Sequence, residues 1–415
     1  MSSPFSTRRL ITTAWRIALL CLACLAPHVF AGEQHPGALY TVIGDRLSLM
    51  KEVAAWKWQR NLPVEDIERE KLVIEKAVSA GLDQGITVAS SQRFFTAQIA
   101  AAKAVQQCWF QRWQQTGPDI SPRDLNQVIR PALLELGNAI SENLTSGPHD
   151  RQAFNTAVFT ECLPDENRGI LFEALEQVSF YPTRLDQVLD SGLLRVGTTG
   201  DYAPFSFQAP SGDLSGIDID MAQNLADSLG VTVSFVPTSW PDLMRDLSLD
   251  RYDIAMSGVS RTVARARLGY FSSAYHTGGK TPITTCDRKD VFSALEEIDQ
   301  PGIRIIVNPG GTNEKFLDAH IRQATKLLHG DNRTIFDEII AGRADLMITD
   351  AIEVTLQTRL HPELCAAMPD STLTFQEKGY LMPRDEALRS VVNLWLDQRR
   401  GDGTLGHVFD AHLSP

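Results

Sequence analysis

Cysteine and histidine are scarce in this chain, basic residues are outnumbered, and only one long apolar run is present. Six cysteines and nine histidines in 415 residues nowhere fall at the Cys/His spacings of a zinc site. The single run able to enter a bilayer lies within the first 31 residues, and no later stretch stays apolar long enough to span one. Against 51 Asp and Glu stand 39 Lys and Arg, a formal charge of −12. That balance argues against nucleic acid or an anionic membrane surface as the main partner. Anionic small molecules stay open, since a binding site needs only a local group of cations. Glycine is thin in the first 180 residues, where nine of the 28 fall, and nineteen follow. The asymmetry marks a change of architecture at Tyr181-Pro182.

What is present supports two or three domains with cores of their own, and 43% hydrophobic with 22% charged residues is ordinary for globular protein. At the N-terminus, Arg8, Arg9 and Arg16 precede the apolar stretch Ile17 to Ala26, and Val29-Phe30-Ala31 offers small residues at a cleavage site. This is the layout of a signal peptide over residues 1–31, which implies export, to the periplasm, of a mature form without a membrane anchor. A lipid anchor on Cys24 is the alternative, although Cys21 stands where such a signal takes leucine. Beyond the leader, Cys108, Cys162, Cys286 and Cys365 split two and two between the halves. An oxidising compartment favours the pairs Cys108–Cys162 and Cys286–Cys365.

Residues 32–182 read as helix throughout. Between Leu39 and Arg60 the apolar positions Val42, Leu49 and Val53 recur at helical spacing, and Arg46 and Lys57 fall inside the same stripe. Cations on a core-facing stripe are costly unless something anionic meets them. A lone arginine there is usually a structural ion pair. Here Arg69 follows Asp66 at i, i+3, Gln106 shares a face with Phe95, Gln98, Ile99 and Ala102, and Arg130 shares one with Leu133 and Leu134. Four cations, one amide and a single acid converging on a helical interior suit a multiply anionic ligand.

Arg46, Trp56-Lys57-Trp58 and Leu62-Pro63-Val64-Glu65-Asp66-Ile67-Glu68-Arg69 resemble the secreted, all-helical chorismate mutases, over roughly residues 36–180. The resemblance implies that Arg46, Arg69 and Arg130 hold the two carboxylates of chorismate. Lys57 and Gln106 would donate to its ether oxygen, and Asp66 would orient Arg69 or a substrate hydroxyl. The implied reaction is a Claisen rearrangement to prephenate without cofactor or covalent intermediate. Gln106 stands where some members carry a glutamate that must be protonated, so activity is expected to stay flat from weakly acid to neutral pH. Val73 replaces a polar position of relatives.

Residues 183–415 alternate strands and helices, beginning with a helix at Leu185–Leu189 and a strand at Leu193–Thr198, which predicts open, mainly parallel sheets. Gly216-Ile217-Asp218-Ile219-Asp220-Met221 and the stretch Ser257-Gly258-Val259-Ser260 followed by Arg265 resemble the two-lobed periplasmic amino-acid-binding proteins. One lobe is expected at about 185–281 plus 380–415 and the other at about 282–379. In that family Arg265 would grip a ligand carboxylate and Asp350 would face an amino group. A binding or sensor protein with a helical accessory domain is therefore the alternative to an enzyme.

Glu353, three residues beyond Asp350, favours chemistry, as does Asn308 followed by Pro309-Gly310-Gly311-Thr312-Asn313-Glu314 at the start of a helix, where backbone N–H groups can cradle an anion. With Gly278-Gly279-Lys280-Thr281-Pro282 and His361-Pro362-Glu363-Leu364-Cys365 they resemble the periplasmic cyclohexadienyl dehydratases. That family converts prephenate to phenylpyruvate and arogenate to phenylalanine. By this resemblance Glu353 is the acid that protonates the leaving hydroxyl. Arg265 and Lys280 would hold carboxylates, supported by Asn308 and Thr312. Trp240 and Phe205 would wall the ring, and Asp201, Ser257 and Gly258 would complete the lining. The Gly278-Gly279 pair is expected to add flexibility near the hinge, and His149, His320 and His329 are expected at the surface. The chain thus reads as an exported bifunctional enzyme, with a helical domain ahead of a two-lobed α/β domain. It would act on small molecules without a cofactor, and self-association is left open.

Overall fold

The computed structural model describes residues 36–414, and the expected leader at 1–31 lies outside the described residues. The apolar stripe from Leu39 onward forms α1 (Pro36–Ser48) and α2 (Met50–Trp58), interrupted only at Leu49. After Pro63 the chain restarts as α3 (Ile67–Asp83), capped by the Asp66 carboxylate, which accepts the Arg69 N–H at 3.2 Å. Thr87 caps α4 (Val88–Trp113), a helix of 26 residues. Its buried face (Phe94, Phe95, Ala101, Val105, Trp109) centres the helical core, and α2, α3 and α7 (Asp165–Glu176) pack on it. A π-helical turn at Leu125–Ile129 leads into α5 (Arg130–Asn143), and α6 (Arg151–Ala157) lies against α1. Cys108 on α4 is bonded to Cys162, between α6 and α7.

After α8 (Arg184–Ser191) the chain builds two five-stranded sheets. The first runs, in spatial order, Thr232–Pro237, Leu193–Thr198, Ile254–Ala255, Leu381–Met382, Tyr270–Phe271. The second runs Thr325–Leu328, Arg304–Val307, Leu346–Asp350, Lys280–Thr285, Leu364–Ala366. In each sheet three strands are parallel and the fourth runs antiparallel to both neighbours. The expectation of mainly parallel sheets therefore holds for one side of each only. The reason is topological: the chain leaves the first sheet, builds the second and returns, so Lys280–Thr285 and Leu381–Met382 enter against the local direction. Two short strands, His276–Gly278 and Gln376–Lys378, pair antiparallel where the chain crosses between the sheets. The second disulfide, Cys286–Cys365, ties the end of one strand to its neighbour.

Gly279 corrects an expectation. A side chain there would stand 1.8 Å from the Thr374 carbonyl oxygen, so glycine is present because the backbone is crowded, not to loosen a hinge. His149 is not simply a surface residue either: it is half-buried, and its ring bonds the Tyr40 hydroxyl at 3.2 Å and the Thr145 carbonyl at 3.1 Å. At the joint between the halves, Phe180 pairs with Ile86 and the Tyr181 N–H reaches the Gly85 carbonyl at 2.8 Å. The Gln187 amide donates to Leu82 O at 2.7 Å, and Arg195 meets Asp83 at 2.9 Å. Both contacts lie at the C-terminal end of α3.

Candidate active sites

In the helical half, Arg46, Lys57, Asp66, Arg69, Gln106 and Arg130 all line one cavity of about 140 Å³, walled by Val53, Phe95, Ile99 and Leu133. All six come from a single chain. Five helices supply them: α1 gives Arg46, α2 Lys57, α3 Arg69 with Asp66 at its cap, α4 Gln106 and α5 Arg130. The charges are poorly compensated. Arg46 is 6% exposed and its Nε has no hydrogen-bond partner. Burial, with the charge of Arg69, brings its guanidinium down to about 10. Burial likewise lowers Lys57, partly offset by Asp66, and lowers Arg69 with the charge of Arg130 acting in the same direction.

Asp66 Oδ2 sits 3.7 Å from the Arg130 guanidinium, while Oδ1 accepts the backbone N–H of Arg69, so its ion pair is with Arg130 and its other bond is a helix cap. Lys57 Nζ donates to the Val64 carbonyl at 2.5 Å. Gln106 Nε2 donates to Ala102 O at 3.1 Å, leaving its buried Oε1 without a partner. To donate to a ligand the amide must turn about its terminal bond, which requires no change in backbone. Lys103, which the sequence reading passed over, also lines the cavity, but it is paired with Glu65 and Glu70.

The second site lies where the two sheets face each other. Tyr202, Trp240, Gly258 and Ser260 come from the first lobe, Asn308, Gly311, Thr312, Asn313, Asn332 and Asp350 from the second, and Lys378 from the crossing strand. The lobes touch: Asn332 Nδ2 donates to the Asp201 carbonyl at 2.8 Å, and Tyr202 donates to Asp350. Gly310, at φ +79°, lies so close to Pro241 that a side chain would reach within 2.7 Å of it. The remaining space is about 20 Å³, too little for a cyclic dicarboxylate, so entry of a ligand of that size requires the lobes to part about the crossing strands.

Of the residues expected here, Trp240, Gly258, Asn308, Thr312 and Asp350 line the cavity directly. Gly258, at φ +65°, has its N–H held by the buried Asp218 carboxylate at 2.6 Å. Asp201 accepts the Trp240 indole N–H at 3.1 Å and so sets that ring. Arg265 is buried, donates to Ser260 O at 3.0 Å, and lies 5.9 Å from the Trp240 ring centre. Burial brings its guanidinium down to about 10, against the pull of Tyr252 and Asp350.

Phe205 is fully buried behind Tyr202 and holds that ring instead of walling the cavity. The Ser257 hydroxyl is turned inward, shared with Ser206 at 2.6 Å and Thr199 at 2.9 Å. One of the N–H groups expected to cradle an anion, that of Gly310, is taken by Glu314 Oε2 at 2.7 Å. Lys378, Tyr202, Ser260 and Asn332 were not anticipated, and Asn313 was expected only for its backbone N–H. The one signal for Lys378 was a charge at the edge of the apolar run Tyr380-Leu381-Met382.

Lys280 Nζ bonds Thr312 Oγ1 at 3.2 Å, Asn313 Oδ1, and Asp350 Oδ1 at 3.3 Å. Asn313 Nδ2 donates to Thr349 Oγ1 at 3.0 Å, and that hydroxyl donates to Glu353 Oε2 at 2.5 Å. Glu353 is 2% exposed, in the first turn of the helix Ala351–Leu360. Burial, reinforced by the nearby Asp350 charge, pushes its carboxyl from 4.5 up to about 8 despite the Thr349 bond. With Oε2 occupied as an acceptor, the proton of neutral Glu353 belongs on Oε1, the oxygen left to donate. Burial alone would raise Asp350 as well. The charges of Lys378 and Lys280 outweigh it and hold that carboxyl well below the usual range. Adjacent carboxyl groups thus carry opposite protonation states at neutral pH. Among the described residues no group of three or more His, Cys, Asp or Glu is placed to hold a metal ion.

Residues 194–415 match the family described as bacterial extracellular solute-binding proteins, family 3, and residues 37–107 match chorismate mutase type II. Cyclohexadienyl dehydratase from Pseudomonas aeruginosa is 56% identical over 223 residues, which cover 54% of this chain and 83% of the relative. L-cystine-binding protein TcyJ from Escherichia coli is 27% identical over 223 residues, 53% of this chain and 82% of the relative. Among solved structures, an ancestral amino acid-binding protein, a precursor of cyclohexadienyl dehydratase, aligns with a TM-score of 0.52 at 33% identity, covering 55% of this chain and all but 1% of its own. These likenesses support small-molecule binding and an extracellular or periplasmic setting, and no helix among the described residues is long and apolar enough to cross a membrane. The chain belongs to family 3 of the bacterial extracellular solute-binding proteins, with a type II chorismate mutase domain joined ahead of it.

Proposed function

We propose that this chain is a bifunctional enzyme of phenylalanine formation, exported to the periplasm by residues 1–31. Its helical half converts chorismate to prephenate, and its α/β half converts prephenate to phenylpyruvate and arogenate to phenylalanine. The observation that carries the reading is the pairing of two unlike pockets on one chain. One is rich in cations that its carboxylates only partly offset; the other has, linked to its wall through Thr349 and Asn313, a buried acid that keeps its proton at neutral pH.

In the first pocket the rearrangement breaks one C–O bond and forms one C–C bond within a single molecule. Arg46, Arg69 and Arg130 neutralise the two carboxylates and hold the compact conformer, and Lys57 with Gln106 stabilises negative charge growing on the ether oxygen. In the second pocket the ring carboxylate leaves as carbon dioxide, its electron pair aromatises the ring, and the ring hydroxyl departs. Hydroxide is a poor leaving group, so Glu353 Oε1 supplies a proton and water leaves. The step consumes one proton, which solvent returns to Glu353 when the lobes open. Lys280 and Arg265 hold the carboxylates, and Trp240 walls the ring.

The test is to give purified protein chorismate and to follow both its decay and the appearance of phenylpyruvate. Decay without phenylpyruvate would leave a mutase joined to a binding protein, and neither change would leave a binding or sensor protein.

A further inference from the structure

From Arg69 onward, one face of α3 lines the cavity of the helical half: Arg69, Leu72, Val73 and Lys76 recur at helical spacing. On α5 the pattern repeats with Arg130, Leu133, Leu134 and Asn138, and the two helices pack against each other. Each helix therefore presents an arginine, then an apolar pair, then a polar residue about 10 to 12 Å from the first. Asp66 and the buried Arg46 lie at the arginine end. The other end is open: Leu72 is 38% and Leu134 40% exposed, and Lys76, Leu134 and Asn138 also line an adjoining groove of about 320 Å³. The cavity thus has its mouth between α3 and α5, at Lys76 and Asn138.

Lys76 differs from an ordinary surface lysine. Its neighbours at i−4, i−3, i+3 and i+4 are Leu72, Val73, Ser79 and Ala80, so α3 offers it no acid. It makes no ion pair or hydrogen bond among the described residues, whereas Lys71 on the same helix meets Glu75 at 3.9 Å and lines neither space. Side chains on a helix lean towards its N-terminus, which turns the Lys76 ammonium back towards the arginines. One to two turns further on, the groove is lined by the acids Asp83 and Glu142, so Lys76 is the outermost cation on the way to Arg69 and Arg130. We propose that Lys76, together with Asn138, forms a receiving subsite at the mouth of the cavity, which takes a carboxylate of an incoming dianion before the arginines do. Resting on the mutase reading, this makes Lys76 a binding residue for chorismate that lies outside the reacting centre. A cation at an open mouth attracts a dianion without touching the bonds that change, so it acts on binding and leaves the rearrangement itself alone.

The test is steady-state conversion of chorismate by the full chain, as wild type, Lys76→Gln, Lys76→Arg and Lys71→Gln, at low salt and at about 1 M salt. At low salt Lys76→Gln is expected to raise KM about fivefold, the upper range for an exposed charge pair, with kcat nearly level. At about 1 M salt, where charges are screened beyond about 3 Å, that difference should vanish. Lys76→Arg keeps the charge and should keep the wild-type KM. Lys71→Gln removes the same charge away from the cavity face and should leave KM where it is. An unchanged KM in Lys76→Gln overturns the proposal, as does a fall in kcat without a rise in KM. An equal rise in Lys71→Gln also overturns it, because net charge would then be the cause. Should wild type fail to convert chorismate, the mutase reading fails by itself. Calorimetric titration of wild type and Lys76→Gln with chorismate then decides the receiving subsite, and equal affinities, or no binding to either, refute it.

Discussion

Glu353→Gln isolates the property on which the second reaction depends. Glutamine keeps the size of the side chain and can still accept the Thr349 hydroxyl, but it has no proton to give. The wild-type carboxyl stands at about 8 in the folded protein against 4.5 ordinarily. Between these values the unfolded chain ionises while the folded one keeps its proton, so stability is full below pH 4.5 and is lost as pH rises through 8. At about 1.4 kcal/mol per pH unit, the loss is on the order of 5 kcal/mol at its greatest. Glu353→Gln does not titrate. Its stability relative to wild type is expected to climb from near zero at pH 4.5 to that value at pH 9, measured by denaturant unfolding of the α/β half across the range. Turnover of prephenate should fall by roughly 10²–10⁴ while ligand affinity persists, and wild-type turnover should decline above pH 8. A stability difference that does not change with pH would refute the burial argument, and a variant retaining turnover within about tenfold of wild type would refute the role.

Three further expectations follow from the same structure. Arg46→Ala should cut chorismate conversion by about 10²-fold or more without loss of thermal stability, because the guanidinium is buried with Nε unpartnered; unchanged conversion would demote the helical half to a scaffold. Mutase activity of wild type should be flat from pH 5 to 7, whereas Gln106→Glu should lose activity as pH rises, because the buried acid donates only when protonated; a steep wild-type profile would exclude Gln106 from the ether oxygen. Cys286→Ser should destabilise the α/β half by about 4 kcal/mol, the loop-closure value for cysteines this far apart in sequence, seen as a lower midpoint in denaturant; an unchanged midpoint would show that the bridge adds nothing.

The helical site was nearly all legible in the chain, because an α-helix turns sequence spacing into a common face. A cation at an apolar position is conspicuous in one dimension, and Arg46, Lys57, Gln106 and Arg130 are each read from their own helix. The α/β site was legible only at strand ends and turns. Trp240, Gly258, Asn308, Thr312 and Asp350 stand there and do line the cavity. Phe205 and Ser257 stand there too, yet they are turned inward, since local sequence does not say which of two neighbouring rings or hydroxyls faces the cleft. Lys378 escaped notice for a different reason. It lies 28 positions from Asp350 and 176 from Tyr202, and only the return of the chain across the hinge brings it to both.

The amino-acid sequence by itself determined the two architectures, the helical stripe carrying the cations, the pairing of four cysteines and the presence of an acid at Glu353. Apart from the cysteine pairing, which follows from an oxidising compartment and the two-and-two split between the halves, these rest on periodicity, composition and close spacing, which are properties of short stretches of chain. Tertiary structure alone decided that Glu353 keeps its proton while its neighbour Asp350 cannot, and that Lys378 meets Asp350 and Tyr202. Both depend on burial and on charges brought together from distant segments, and a carboxyl group acquires its working proton affinity only when the lobes around it have formed.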